Sequence, residues 1–117
     1  MKKLLILVVL LTGTIGFAQN KNAKATFKVD GVCGMCESRI EKACFTVKGV
    51  KMADWNVGTH DLKLIYNEKK TDLKSIKEKI ASVGHDMEDL KASDKAYNSL
   101  HACCKYRDQK IRDDHKK

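Results

Sequence analysis

The sequence contains no proline among its 117 residues, and aromatic side chains are few: one tryptophan, three tyrosines and three phenylalanines. Folds that set a cis-proline opposite a reactive cysteine pair, the thioredoxin-like arrangement, are disfavoured by the first absence. The second, with no block of arginines, makes nucleic-acid binding a poor fit. No apolar run approaches the roughly 20 residues of a membrane-spanning helix. No cysteine lies near the end of the N-terminal apolar stretch, which speaks against a lipoprotein anchor.

That stretch has the pattern of a targeting segment. Lys2 and Lys3 form a basic start, Leu4 to Leu11 is unbroken and apolar, and Gly16-Phe17-Ala18 puts small residues where a signal peptidase cuts. Residues 1–18 are therefore expected to be a cleavable signal peptide and the mature chain to be periplasmic or secreted. Its removal takes away two lysines and no acids, lowering the formal charge from +8 to +6. Acids are interspersed with the bases, a balance suited to docking on an acidic partner or an anionic membrane surface. The length allows one domain with a modest core.

Hydropathy patterning supplies the element order. Ala25 to Val29 alternates as a half-buried strand and stops at Asp30-Gly31. A helix follows from about Cys36 to Val47, with Ile40, Cys44 and Val47 on one face and Glu37, Arg39, Glu41 and Lys42 pointing away; Gly49 ends it. Residues 50–57 alternate with Ala53, Trp55 and Val57 inside, a turn spans 58–61, and Leu62 to Tyr66 returns as the second arm of a hairpin. Thr71 reads as the N-cap of a second helix carrying Leu73, Ile76, Ile80 and Val83, with Gly84 as its stop. Residues 86–91 are assigned to a short last strand with Met87 inside. The expected fold is α+β: a βαββαβ sandwich with a four-stranded antiparallel sheet, two helices on one face and a short C-terminal extension. In that extension, residues 92–117, Tyr97, Leu100 and Cys104 have helical spacing, and the charged end from Arg107 is expected to fray.

The five cysteines are odd in number and stand at 33, 36, 44, 103 and 104. Two tight pairs and a single do not look like a disulfide framework; they look like ligands. Gly31-Val32-Cys33-Gly34-Met35-Cys36 carries the strongest signal. A C-x-x-C pair between a strand and a helix start can aim both sulfurs at one point, and the helix N-terminus favours thiolates. Soft thiolates select soft ions, Cu(I) first, with Hg(II) or Zn(II) as alternatives. Zinc would need more ligands than this pair provides.

These residues resemble the heavy-metal-associated domain family, which includes copper chaperones and the periplasmic mercury-binding protein. The resemblance covers residues 24–91. It rests on the Gly31-x-Cys33-x-x-Cys36 loop, Ile40-Glu41-Lys42-Ala43, Gly49-Val50 and Val83-Gly84-His85-Asp86. It implies a ferredoxin-like fold that passes metal to a partner, a transporter or efflux component, by exchanging thiolate ligands. Two departures stand out. The family loop reads G-M-x-C-x-x-C, whereas here Gly31 is followed by Val32 and at once by Cys33. Where bacterial copper carriers often have tyrosine after the glycine of the second-helix stop, this chain has His85, a candidate third ligand or an exposed loop histidine.

Further candidates lie in the tail. One of Cys103 and Cys104, folded back over the loop, would raise the coordination number and accommodate Zn(II), and His101 could join. Cys44 reads as a small core hydrophobe, Met52 and Met87 as core, Met35 as a cover for the loop, and Trp55 as packing. His60 and His115 have no partners in the pattern. The leading reading is a non-enzymatic Cu(I) carrier, monomeric or bridged by metal into a dimer. The alternatives are a thiol–disulfide oxidoreductase using the same pair and a metal-sensing adaptor of an efflux system.

Overall fold

A computed structural model describes residues 19–116; the expected leader, residues 1–18, lies outside them. Three strands, β1 (Ala23–Lys28), β2 (Val50–Trp55) and β3 (Asp61–Tyr66), form an antiparallel sheet in the order β1-β3-β2. Two longer helices, α1 (Gly34–Phe45) and α2 (Leu73–Ser82), pack on it. The period-two pattern of β3 explains the sidedness. Leu62, Leu64 and Tyr66 are buried and Lys63 is exposed, so one face meets the helices. Ile40 and Cys44 from α1 and Ile76 and Ile80 from α2 share a core with Val29, Trp55, Leu62 and Leu64.

The order β-α-β-β-α is as expected, but the sheet has three strands rather than four. Where a last strand was expected over 86–91, Met87 makes a single antiparallel bridge to Val29. The Met87 amide then donates to the Leu90 carbonyl at 2.8 Å, turning the chain away from the sheet edge. Met87 itself is core, as the pattern implied, with 2% exposure.

Other boundaries move for local reasons. α2 is capped by Asp72, whose carboxylate accepts from the Ser75 amide at 2.8 Å, not by Thr71. α1 begins at Gly34, so Cys33 is its N-cap and Cys36 lies in its first turn. β2 stops at Trp55 because the Asn56 side chain accepts from the amides of Gly58 and Thr59, starting the turn early. Val57 is consequently exposed, and Met52, expected in the core, sits exposed beside the irregular register at Val50/Met52. Gly84 does end α2, with φ at +104°.

The C-terminal segment is part of the domain rather than an appendage. It contains α3 (Asp94–Asn98), a 3-10 turn over Ala102–Cys104 and α4 (Gln109–Asp114). The charged end expected to fray is thus helical as far as Asp114. Leu100, Cys104 and Tyr106 are buried in the common core. Asp86 fastens the segment. Its carboxylate accepts from Arg107 at 2.8 and 2.9 Å and from the Ala92 amide at 2.7 Å. The Tyr106 hydroxyl donates to the Gly84 carbonyl at 2.6 Å and accepts from the Asp86 amide at 2.9 Å. A Cβ on Gly84 would lie 2.8 Å from the Ala96 carbonyl, so the close approach of the tail requires glycine there.

Arg107→Ala leaves the Asp86 carboxylate, whose side chain is 7% exposed, without its counter-charge. The expected cost is about 3 kcal/mol in urea unfolding, with hydrogen exchange accelerated first between Leu100 and Tyr106.

Candidate metal centre

The loop between β1 and α1 rests on Trp55. That ring is 1% exposed, and its indole N–H donates to the Val29 carbonyl at 3.0 Å. Gly31 lies flat against it: a Cβ there would come within 2.9 Å of the ring and 3.1 Å of the Cys36 Cβ. Trp55 is thus the floor of the cysteine loop as well as core packing. Val32 is buried in the core. Gly34 faces open space at the first position of α1.

Four sulfurs converge above this floor. Cys33 Sγ lies 3.6 Å from Cys36 Sγ and 3.5 Å from Cys104 Sγ. Cys103 Sγ lies 3.9 Å from Cys104 Sγ, and the Sγ atoms of Cys33, Cys103 and Cys104 all fall within 4.8 Å of one another. Met35 adds a thioether 3.5 Å from Cys103 Sγ. All of the cysteines are free. The folding-back of the tail, entertained from sequence as one extra sulfur, brings both of its thiols to the loop. His101 is exposed and does not join them.

Electrostatics differ from the expectation of ready-made thiolates. Cys36 is fully buried. Burial pushes its thiol up to about 12, the neighbouring thiols of Cys104 and Cys33 add to the rise, and hydrogen bonds with the backbone at Val32 and Cys33 only partly oppose it. The helix N-terminus is outweighed because the sulfur has lost its water. Cys104 behaves oppositely. Burial pushes it up, but Arg39 and the surrounding thiols stabilise its anion and leave it below the ordinary value. Arg39, read from the pattern as pointing away, instead has a buried Nη1 with no hydrogen-bond partner. Cys44 is a fully buried core residue, with its thiol raised to about 12 by burial and by Glu41.

His85 is neither exposed nor grouped with the thiols. Its Nδ1 lies 2.8 Å from the Asp30 carbonyl, an acceptor only, so Nδ1 carries the proton and donates. Nε2 is buried without a partner, and the ring stacks on Tyr106 at 5.4 Å. Burial is the main reason its pKa falls to about 4, with Arg39 contributing. His60 stacks on Trp55 at 5.6 Å, and His115 bonds back to the Ile111 carbonyl.

The heavy-metal-associated domain profile matches residues 26–86, just over half of the chain. The chain belongs to the heavy-metal-associated domain family. Among solved structures, it is similar to a CopZ metallochaperone, with 29% identity and a TM-score of 0.54 over 56% of this chain and 98% of that one. It is similar also to the N-terminal domain of a potential copper-translocating P-type ATPase from Bacillus subtilis, in its Cu(I)-loaded state. That match has 30% identity and a TM-score of 0.53, covering 56% of this chain and 82% of that one. The N-terminal domain of the zinc(II) ATPase ZiaA, in its apo form, matches with 30% identity and a TM-score of 0.50, covering 56% of this chain and 63% of that one. A search of curated proteins returned no match. Cys103 and Cys104 lie beyond the residues matched by the family profile, so the family pattern carries no signal for them. Only the paired spacing of the tail cysteines and the helical spacing of Tyr97, Leu100 and Cys104 pointed there.

The His85 environment sets an acid limit. An unfolded histidine binds its proton near 6.5, whereas His85 in the fold resists until about 4. Between those values the unfolded chain binds the extra proton, so falling pH favours unfolding. Urea titration of the reduced, metal-free protein is expected to lose about 3 kcal/mol of stability as pH falls through this window. A flat profile across it would place His85 in water.

Proposed function

We propose that this protein is an exported metallochaperone whose cargo is Cu(I), bound by the thiolates of Cys33 and Cys36 and passed to a partner by ligand exchange. The observation that carries the reading is the 3.6 Å approach of two sulfurs at the start of α1, one buried and one half-exposed. Such a pair binds an ion firmly and leaves one ligand within a partner's reach. The surrounding donors are sulfur, which favours a soft ion over a hard one. The N-terminal leader pattern supports a periplasmic or secreted location. The likeness to transporter domains supports a metal transporter or efflux component as the partner. Beside the loop, a 590 Å³ groove is edged by Met35, Arg39, Lys42 and Lys79; its basic rim suits an acidic surface on that partner.

Zn(II) is the second reading, because four thiols within reach form a zinc-like set. It is the weaker one. Met35 places a thioether, a poor zinc ligand, against Cys103.

Binding must expel the proton that burial keeps on Cys36. Anaerobic titration of the reduced chain against a Cu(I) chelator is expected to show tight binding that is lost in Cys33→Ser. Apparent affinity should rise about tenfold per pH unit for each proton displaced. Tighter binding of Zn(II) than of Cu(I) in direct competition, or robust insulin reduction by the metal-free protein, would reverse the assignment.

A further inference from the structure

The four thiols are not equivalent, and their burial divides them. Cys36 and Cys104 are fully enclosed, Cys33 is half-buried between them, and Cys103 is exposed. Cys33 Sγ is within 3.6 Å of both enclosed sulfurs and is their common neighbour. Cys103 Sγ is within 4.8 Å of Cys33 and Cys104 but exposed, and it stands beside Met35, itself 45% exposed, with their sulfurs 3.5 Å apart. From solvent, an arriving ion meets Cys103 and Met35 before it meets the inner sulfurs.

We infer that Cys104 completes a three-thiolate inner site with Cys33 and Cys36, and that Cys103 and Met35 form an outer sulfur pair through which a soft monovalent ion enters and leaves. This rests on the soft-metal reading above but goes beyond it, since a C-x-x-C pair alone offers two sulfurs and no relay.

Its surroundings separate Cys104 from a cysteine that is merely packed. Cys44, a packed one, lies in the core and belongs to no sulfur cluster. Cys104 is equally buried, yet its sulfur lies 3.5 Å from that of Cys33 and 3.9 Å from that of Cys103; nearby, Arg39 has an enclosed Nη1 with no hydrogen-bond partner. An enclosed guanidinium nitrogen with an unfilled donor is costly unless an acceptor or anion shares its enclosure. Three thiolates around a monovalent ion carry a net charge of minus two, which that cation partly offsets.

The exchange step is balanced without redox chemistry. Each metal–sulfur bond forms as the sulfur's proton, where still present, leaves to water, and the ion keeps its charge. On release, a bond to Cys103 forms as one to an inner thiolate breaks. The partner's thiolate then replaces Cys103.

The test is X-ray absorption on the full reduced chain loaded with one equivalent of Cu(I), together with the rate at which the loaded protein yields Cu(I) to a chelator. Wild type should show three sulfur ligands, and Cys104→Ser should show two. Cys103→Ser should keep three sulfurs but release the ion on the order of tenfold more slowly, about 1.4 kcal/mol on the barrier. Two sulfurs in the wild type would overturn the inner site even if Cys104→Ser failed to fold. Unchanged release from Cys103→Ser would overturn the outer pair. Failure of the wild type to bind Cu(I) at all would instead sink the carrier reading on which both stand.

Discussion

The bond between the Asp86 carboxylate and Arg107 is the constraint from which the site follows. It closes the C-terminal segment onto the domain at a buried point, and Tyr106 bridges the neighbouring backbone from the other side. Arg107 also reaches the Ala92 carbonyl and stacks over Tyr97 at 4.2 Å. With both ends of the segment held, Leu100 and Cys104 are drawn into the core and Cys104 comes to rest against Cys33. The Asp86 end of the pair is buried while Arg107 stays partly exposed, so water competes for the guanidinium more than for the carboxylate. The same closure ends the pairing of a fourth strand after one bridge, since Asp86 and Met87 pair with Asp30 and Val29 and the chain then turns at Leu90 toward the tail.

A second tension runs through the cysteine loop. A helix N-terminus favours thiolates, but enclosing the sulfurs penalises them, and at Cys36 enclosure wins. Cys36 therefore holds its proton when metal-free, and in the proposed function metal entry exchanges that proton for an ion. Arg39 is the counterweight: it lowers Cys104 where burial alone would raise it. One cation thus links the first helix, the tail thiol and His85, whose protonation it also opposes.

Much of this was legible in the residues. Strict alternation in Leu62–Tyr66, the apolar stripe of Ile76 and Ile80, and Gly84 as a helix stop are local signals, and the structure follows them. The C-x-x-C loop could be placed between a strand and a helix because its flanks were unambiguous. What escaped was set by contacts distant in sequence. Residues 86–91 have a strand-like pattern, but Arg107 and Tyr106 decide their course. Arg39 occupies a polar position on the helical wheel, and only the folded-back tail encloses it. His85 looked like a loop residue because nothing local announces that Tyr106 will stack over it. Thr71 and Asp72 are both good caps, and a single Ser75 amide chose between them.

The site depends on the tail thiols meeting the loop thiols in one protein molecule before any metal arrives. Nuclear Overhauser spectroscopy of the reduced, metal-free chain at dilution tests this most directly. Cross-peaks between the β-protons of Cys33 and Cys104, and between the Met35 methyl and Cys103, are expected. Random-coil shifts from Tyr97 to Tyr106, with no such cross-peaks, would contradict it.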